Sequence, residues 1–79
     1  APGLVELFRW TENEYLDRSA GSALRRLGYP RWLRNVAVAL GNAPTSPEVV
    51  AALAARREDP DALVREHVEW ALTRHAIRH

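Results

Sequence analysis

Apolar residues recur along the chain at helical spacing, in runs separated by short polar links. Leu4-Val5-Glu6-Leu7-Phe8-Arg9-Trp10 reads as one or two amphipathic turns, expected to be the end of a helix that begins further upstream. Thr11-Glu12-Asn13-Glu14 has the spacing of a capping box, in which the Thr11 hydroxyl takes the backbone N–H of Glu14 and that carboxylate reaches back. The helix it opens should run to about Ser19 and stop at Gly21. Ser22 stands where it would cap a short helix over 23–27, which Gly28 ends. Pro30 fits the first turn of the next helix, and Gly41-Asn42 is expected to supply its left-handed exit. Ser46-Pro47-Glu48 joins a cap, a first-turn proline and an acid at the positive end of the dipole. Asp59-Pro60-Asp61 repeats that device and launches the longest helix, to about Ala76. The pattern predicts an all-α domain over residues 1–79 with five to six helices.

Two stretches resemble each other in detail. A step of 31 residues lays Arg34 on Arg65, Ala37 on Val68 and Leu40 on Ala71, and in each copy a shorter helix precedes a longer one. Paired helices at such a period predict an α-solenoid of about two helix pairs, and the segment from Asp59 to Leu72 is similar to the second helix of a HEAT-type repeat. An irregular helical bundle is the alternative. Solenoids ordinarily need about three repeats, so this one should be marginal alone or rest on another domain.

A chain of 79 residues hides only about 60% of the surface its unfolded form exposes. Many of its apolar residues are alanine, which favours helix but adds little buried area. No run approaches the roughly 20 apolar residues that span a bilayer, and no leader pattern opens the chain, so a soluble, cytoplasmic protein is expected. Without cysteine these residues hold no disulfide, no thiolate nucleophile and no cysteine-ligated metal. The absence of methionine favours a piece of a longer protein.

Charge changes the picture more. The net charge of +1 hides a window between Asp17 and Glu48 with five arginines (Arg18, Arg25, Arg26, Arg31, Arg34) and no acid, against six arginines and ten acids elsewhere. Such segregation fits one face turned to a polyanion. Coding bias is the plainer account, since every basic residue is arginine in an alanine-rich chain. Arg25 and Arg26 close one short helix, Arg31 opens the next, and Arg34 and Asn35 follow a turn later. Guanidinium forks suit phosphates, and recognition of a folded RNA by shape and phosphate would use such a surface. Tyr29, in the turn between them, is the candidate for stacking on a base.

The other chemistry-bearing residues have structural readings. Asp61 and Arg65 are four apart in the orientation that favours a helix ion pair. Trp10, Trp32 and Trp70 are expected in the core. His67 falls on the stripe Leu63, Val64, His67, Val68, Ala71, Leu72 and should be buried, bonded to a neighbouring turn. His75 and His79 are spaced to share a metal but lie in a fraying last turn without a third ligand. Glu66 and Glu69 should face solvent, and nothing predicts a pocket for acid–base work. No catalytic, cofactor or metal site is expected within these residues.

The combination "LVELFRWTENEYLDRSAGSALRRLGYPRWLRNVAVALGN" followed by "DPDALVREHVEWAL" resembles the C-terminal region of bacterial epoxyqueuosine reductases. The resemblance covers nearly the whole chain and is most specific in "RRLGYPRWLRNVAVALGN" and "LVREHVEWAL"; Pro30 departs from it. It implies a HEAT-like C-terminal module of an oxidoreductase that reduces epoxyqueuosine to queuosine in tRNA, using cobalamin and [4Fe-4S] clusters. Those cofactors would sit in catalytic and ferredoxin-like domains upstream, so none is expected here. The module's implied part is to hold tRNA against the catalytic region, with Arg25, Arg26, Arg31, Arg34 and Asn35 facing it. A rival of another class is a scaffold that packs on its own catalytic domain without touching RNA, which predicts an exposed apolar patch near residues 4–10.

Overall fold

Side-chain caps set the starts of three of the six helices in the computed structural model, which describes residues 3–78. The helices are α1 (Leu4–Arg9), α2 (Glu12–Arg18), α3 (Leu24–Leu27), α4 (Tyr29–Asn42), α5 (Pro47–Ala54) and α6 (Ala62–Arg78), with no strand among the described residues. The fold is all-α, as the periodicity requires. Thr11 Oγ1 accepts the Glu14 N–H at 3.2 Å and Glu14 accepts the Thr11 N–H at 3.1 Å, the expected capping box. Ser46 caps α5 through the Val49 N–H at 3.2 Å. The Asp61 carboxylate caps α6, accepting from Leu63 at 2.9 Å and Val64 at 3.1 Å.

Several local expectations change. Helix α1 starts at Leu4 behind an extended Gly3, not as the continuation of an earlier helix. Ser22 does not cap α3; its hydroxyl donates backward to the Ser19 carbonyl at 2.9 Å, leaving α3 a single turn without a side-chain cap. Gly21 and Gly28 do carry the left-handed turns that end α2 and α3. Because Asp61 is occupied as a cap, Arg65 does not pair with it and instead donates to the carbonyls of Asp59 at 2.5 Å and Pro60 at 3.1 Å.

The main packing seam joins α4 to α6. Contacts ascend together along both helices: Val38 shares a groove with Glu66, His67 and Trp70, Gly41 meets Trp70 and Ala71, Asn42 meets Arg74 and Ala43 meets Arg78. The two long helices therefore run parallel, about thirty residues out of register. Gly41 is not a left-handed exit. It lies buried inside α4, which closes at an extended Ala43, and a Cβ at Gly41 would sit 2.5 Å from the Trp70 ring and 3.1 Å from the Ala71 Cβ.

Around Gly41 the carbonyls at the end of α4 are met by side chains of α6. His75 meets the Leu40 carbonyl through Nε2 at 2.7 Å, Arg74 donates to Gly41 at 3.2 Å, and Arg78 donates to Ala43 at 2.9 Å. Cationic guanidinium groups suit this negative end of the helix dipole. A carbonyl can only accept, so His75 Nε2 carries hydrogen, and in the neutral ring Nδ1 accepts from the Thr45 hydroxyl at 2.6 Å. The buried histidine is thus His75, not His67, and the last turns of α6 are held rather than frayed. His67 is half-buried, with Nδ1 2.8 Å from the Leu63 carbonyl of its own helix. His79 lies outside the described residues, and among those described no cluster of three metal-ligating side chains forms.

The core is one cluster reaching from Phe8 and Tyr15 through Trp32, Leu33, Ala37 and Leu40 to Leu53, Val64, Val68 and Ala71. Trp10 stacks on Trp32 with ring centres 5.6 Å apart. Trp70, expected inside, is 39% exposed, because the buried stripe of α6 is Val64, Val68, Ala71 and His75, rotated away from Leu63 and His67.

One guanidinium ties the N-terminal helices to the rest. Arg56, just past α5, donates from Nε to the Phe8 carbonyl at 2.6 Å and from Nη2 to the Trp10 carbonyl at 2.8 Å and the Tyr29 hydroxyl at 3.0 Å. Its Nη1 meets Asp59 at 3.3 Å, and the guanidinium lies over the rings of Phe8 and Tyr29. The Tyr29 hydroxyl in turn donates to the Trp10 carbonyl. Burial pushes the Tyr29 phenol above its ordinary value of 10.0, and Arg56 partly opposes that.

Three outcomes follow from this packing. Gly41→Ala should lower stability by about 1–3 kcal/mol in thermal unfolding, despite alanine's better helix propensity. In a Trp70→Ala background the same change should cost markedly less, and additive effects would mean the indole does not occupy that space. Arg56→Met strands the carbonyl of fully buried Phe8 and should cost about 2–4 kcal/mol in chemical denaturation, with Arg56→Lys recovering less than half because it lacks the fork. The folded chain holds the Tyr29 proton more tightly than the unfolded chain, so that contribution is full below about pH 10 and is lost as pH rises through the raised value. Tyr29→Phe should therefore flatten the alkaline decline of stability, and an unchanged slope would remove Tyr29 as its source.

Candidate nucleic-acid interface

The arginines divide by what they touch. Outside the basic window, five of the six arginines, Arg56, Arg57, Arg65, Arg74 and Arg78, bond to this chain's own groups: four reach backbone carbonyls, and Arg57 pairs with Glu69 at 2.9 Å, while the exposed Arg9 side chain makes no hydrogen bond or ion pair among the described residues. Inside the window, Arg25, Arg26 and Arg31 are exposed, and their side chains make no hydrogen bond or ion pair among the described residues. Arg34 makes one long contact, 3.4 Å to the side chain of Asn35, and Arg18 lies over the Trp10 ring. Neither meets an acid. Because the window contains no carboxylate, its positive charge is neutralised nowhere along its own length.

The candidate residues fall into two groups and one exception. Arg25 and Arg26 line a shallow surface groove with Gly21, Ser22 and Ala23, shaped by the left-handed turn at Gly21. The short helix α3 is held there by Tyr15, whose hydroxyl donates to the Leu24 carbonyl and accepts from the Gly28 N–H at 3.2 Å. Arg31, Arg34 and Asn35 follow on α4 at i, i+3 and i+4, one face of one helix, with Val38 a further turn along it. Tyr29 departs from expectation. It is half-buried, its hydroxyl is bonded to Trp10 and Arg56, and its ring packs against Tyr15, so it anchors the start of α4 instead of offering a face to a base.

The aromatic ring that is offered is Trp70, which sequence reasoning placed in the core. Arg74 lies over it, 5.1 Å from the ring centre, and is itself fixed to Gly41 and Asn42. Beside the indole, Val38, Glu66, His67 and Trp70 line a mostly apolar groove of about 270 Å³ between α4 and α6. A signal for this exists in the sequence: Leu63, Trp70 and Ile77 recur every seven residues, one face of α6, and all three are exposed. No helix among the described residues is long and apolar enough to cross a membrane.

Comparison with known proteins now bears on this surface. No family model matches the chain, and no solved structure does. Proteins named epoxyqueuosine reductase match it closely: that of Pseudomonas aeruginosa is 65% identical over 72 residues, 91% of this chain and 20% of that protein. The Xanthomonas campestris protein is 60% identical over 74 residues, 94% of this chain and 21% of that protein. The Escherichia coli protein is 49% identical over 79 residues, 99% of this chain and 20% of that protein. This chain therefore corresponds, over nine tenths or more of its length, to a segment making up about a fifth of the epoxyqueuosine reductases it matches.

Proposed function

We propose that this chain is a non-catalytic, tRNA-positioning module of a cytoplasmic epoxyqueuosine reductase. The observation that carries the reading is the division of the arginines. Five of the six arginines outside the basic window are bonded within the fold, with exposed Arg9 the exception, while Arg25, Arg26, Arg31 and Arg34 present guanidinium groups that no carboxylate among the described residues neutralises. Coding bias accounts for the choice of arginine but not for that separation. A polyphosphate partner meets such groups with bidentate contacts and releases counterions as it binds. The HEAT-like reading is supported by the parallel stacking of α4 and α6 at an offset near the 31-residue repeat. Cobalamin and [4Fe-4S] clusters would belong to other regions of the reductase, since a chain without cysteine supplies no cluster thiolate.

Packing against the catalytic region remains a second reading, drawn from Leu4 on α1 and from Ile77, which is 79% exposed near the end of α6. The two readings separate on charge. In the intact protein, Arg31→Gln with Arg34→Gln should weaken binding of a tRNA that reads a queuosine codon and reduce its salt slope by about 2, while Arg57→Gln, paired with Glu69, should leave both unchanged. Affinity that ignores salt, or a double variant indistinguishable from wild type, would retire the tRNA reading in favour of the scaffold.

A further inference from the structure

The exposed face of α4 leads directly to the groove beside Trp70. Arg31, Arg34 and Val38 lie along one line of the helix, and its rise of about 1.5 Å per residue puts Val38 one turn, roughly 6 Å, beyond Arg34. A nucleic-acid strand gripped at Arg31 and Arg34 would be delivered to the groove's edge. What it meets there is unlike a phosphate site. Glu66 carries a negative charge that repels phosphate, Val38 is apolar, and the indole of Trp70 is 39% exposed yet fixed by Arg74 and by its close approach to Gly41. A fixed aromatic at the end of a cationic ridge suits the flat face of a base.

The polar groups narrow the choice of base. His67 Nδ1 lies 2.8 Å from the Leu63 carbonyl, which can only accept, so Nδ1 carries the hydrogen and the neutral ring leaves Nε2 as an acceptor. The carboxylate of Glu66 is likewise acceptor-only. The groove is thus lined by two acceptors and an aromatic, with no side-chain donor among Val38, Glu66, His67 and Trp70 except the indole N–H and that engaged Nδ1. Among the four bases, guanine alone carries two adjacent donors, N1–H and the 2-amino group, on its pairing edge. At about 270 Å³ the groove falls just below the range of about 300–1,000 Å³ typical of sites for drug-sized ligands, the scale of a single base.

We propose that the groove between α4 and α6 holds one unpaired guanine of a bound RNA, stacked on Trp70, its N1–H and 2-amino group donated to Glu66 and His67. This rests on the tRNA-positioning reading above and adds to it a base-specific contact at a site distinct from the arginines. It assigns Glu66 to selectivity and Trp70 to affinity for unpaired RNA.

The test compares, in the intact protein, a stem-loop RNA with one guanine in its loop, the same stem-loop with uracil there, and a blunt duplex of equal length. Wild type should prefer the guanine loop by about ten-fold, the scale of a paired hydrogen-bond contact to one base edge. Trp70→Ala should weaken both stem-loops relative to the duplex, Trp70→Tyr should retain most of that affinity, and neither should change the salt slope, because no phosphate contact is lost. Glu66→Gln, an exposed position that does not threaten folding, should weaken the guanine loop alone. If wild type binds all three RNAs equally and Trp70→Ala and Glu66→Gln change none of them, the groove takes no base while the tRNA reading stands. Equal loss on every RNA in Trp70→Ala would make the indole structural and overturn the proposal. Absence of RNA binding by wild type would overturn both.

Discussion

The fold depends on Arg56. Phe8 is the deepest residue of α1, and its carbonyl comes at a helix end where no further turn supplies a donor. A guanidinium with five donors in a rigid fork meets that carbonyl, the next turn's Trp10 carbonyl, the Tyr29 hydroxyl and Asp59 at once. Those partners belong to α1 and the residue that closes it, to the first residue of α4 and to the link before α6. Lysine, with one nitrogen, cannot occupy four positions around a plane. The use of arginine here is therefore structural chemistry, whatever the composition of the rest of the chain.

The same device recurs at the other end of the molecule. Helix α4 stops where Pro44 follows, with its last carbonyls inside or beside the seam rather than in open water. Arg74, His75 and Arg78 of α6 meet them in succession, and they do so because the two helices run parallel, so that the later end of one lies beside the later end of the other. Antiparallel packing would have put the first turn of α6, with its own N–H groups and the Asp61 cap, in that place. Parallel stacking and cross-helix capping are thus one constraint, and Gly41 is its steric condition: any side chain there would drive Trp70 and Ala71 away and lengthen every bond beyond it.

Local signals were legible and non-local ones were not. The capping box at Thr11, the Ser46 cap and the turns at Gly21 and Gly28 each depend on residues within four positions, and each appears where the spacing put it, whereas the cap of α6 falls on Asp61, two residues later than the Asp59 that the likeness to Ser46-Pro47-Glu48 made the cap. Gly41 was misread because a glycine followed by asparagine at a helix end has the same sequence signature whether it serves a left-handed turn or a close approach; only the partner thirty residues away distinguishes them. His67 and His75 exchanged roles for a related reason. An apolar stripe on an alanine-rich helix is too broad to fix its rotation, and a shift of one position moves Leu63 and His67 outward while bringing His75 in. Tyr29 could not be assigned without Arg56, which lies 27 residues away and carries no sign of being internal. The arginine window itself was fully legible, because it depends on counting alone.

The parallel seam gives the arginine window a direction along the surface. A helix pair that stacks in parallel buries one face of each helix in the seam and leaves the outer faces side by side, so the residues α4 and α6 expose form one continuous surface rather than two. Along it the character changes in order: unneutralised guanidinium groups at Arg31 and Arg34, then an apolar step at Val38, then an aromatic ring flanked by acceptors. A protein partner would need the apolar part to be large and the cationic part to meet acids. A bare phosphate would need no apolar part at all. A nucleic acid carries both components in a fixed order, a charged backbone with flat bases projecting from it, and a surface graded from cationic to aromatic matches that order over about two helical turns.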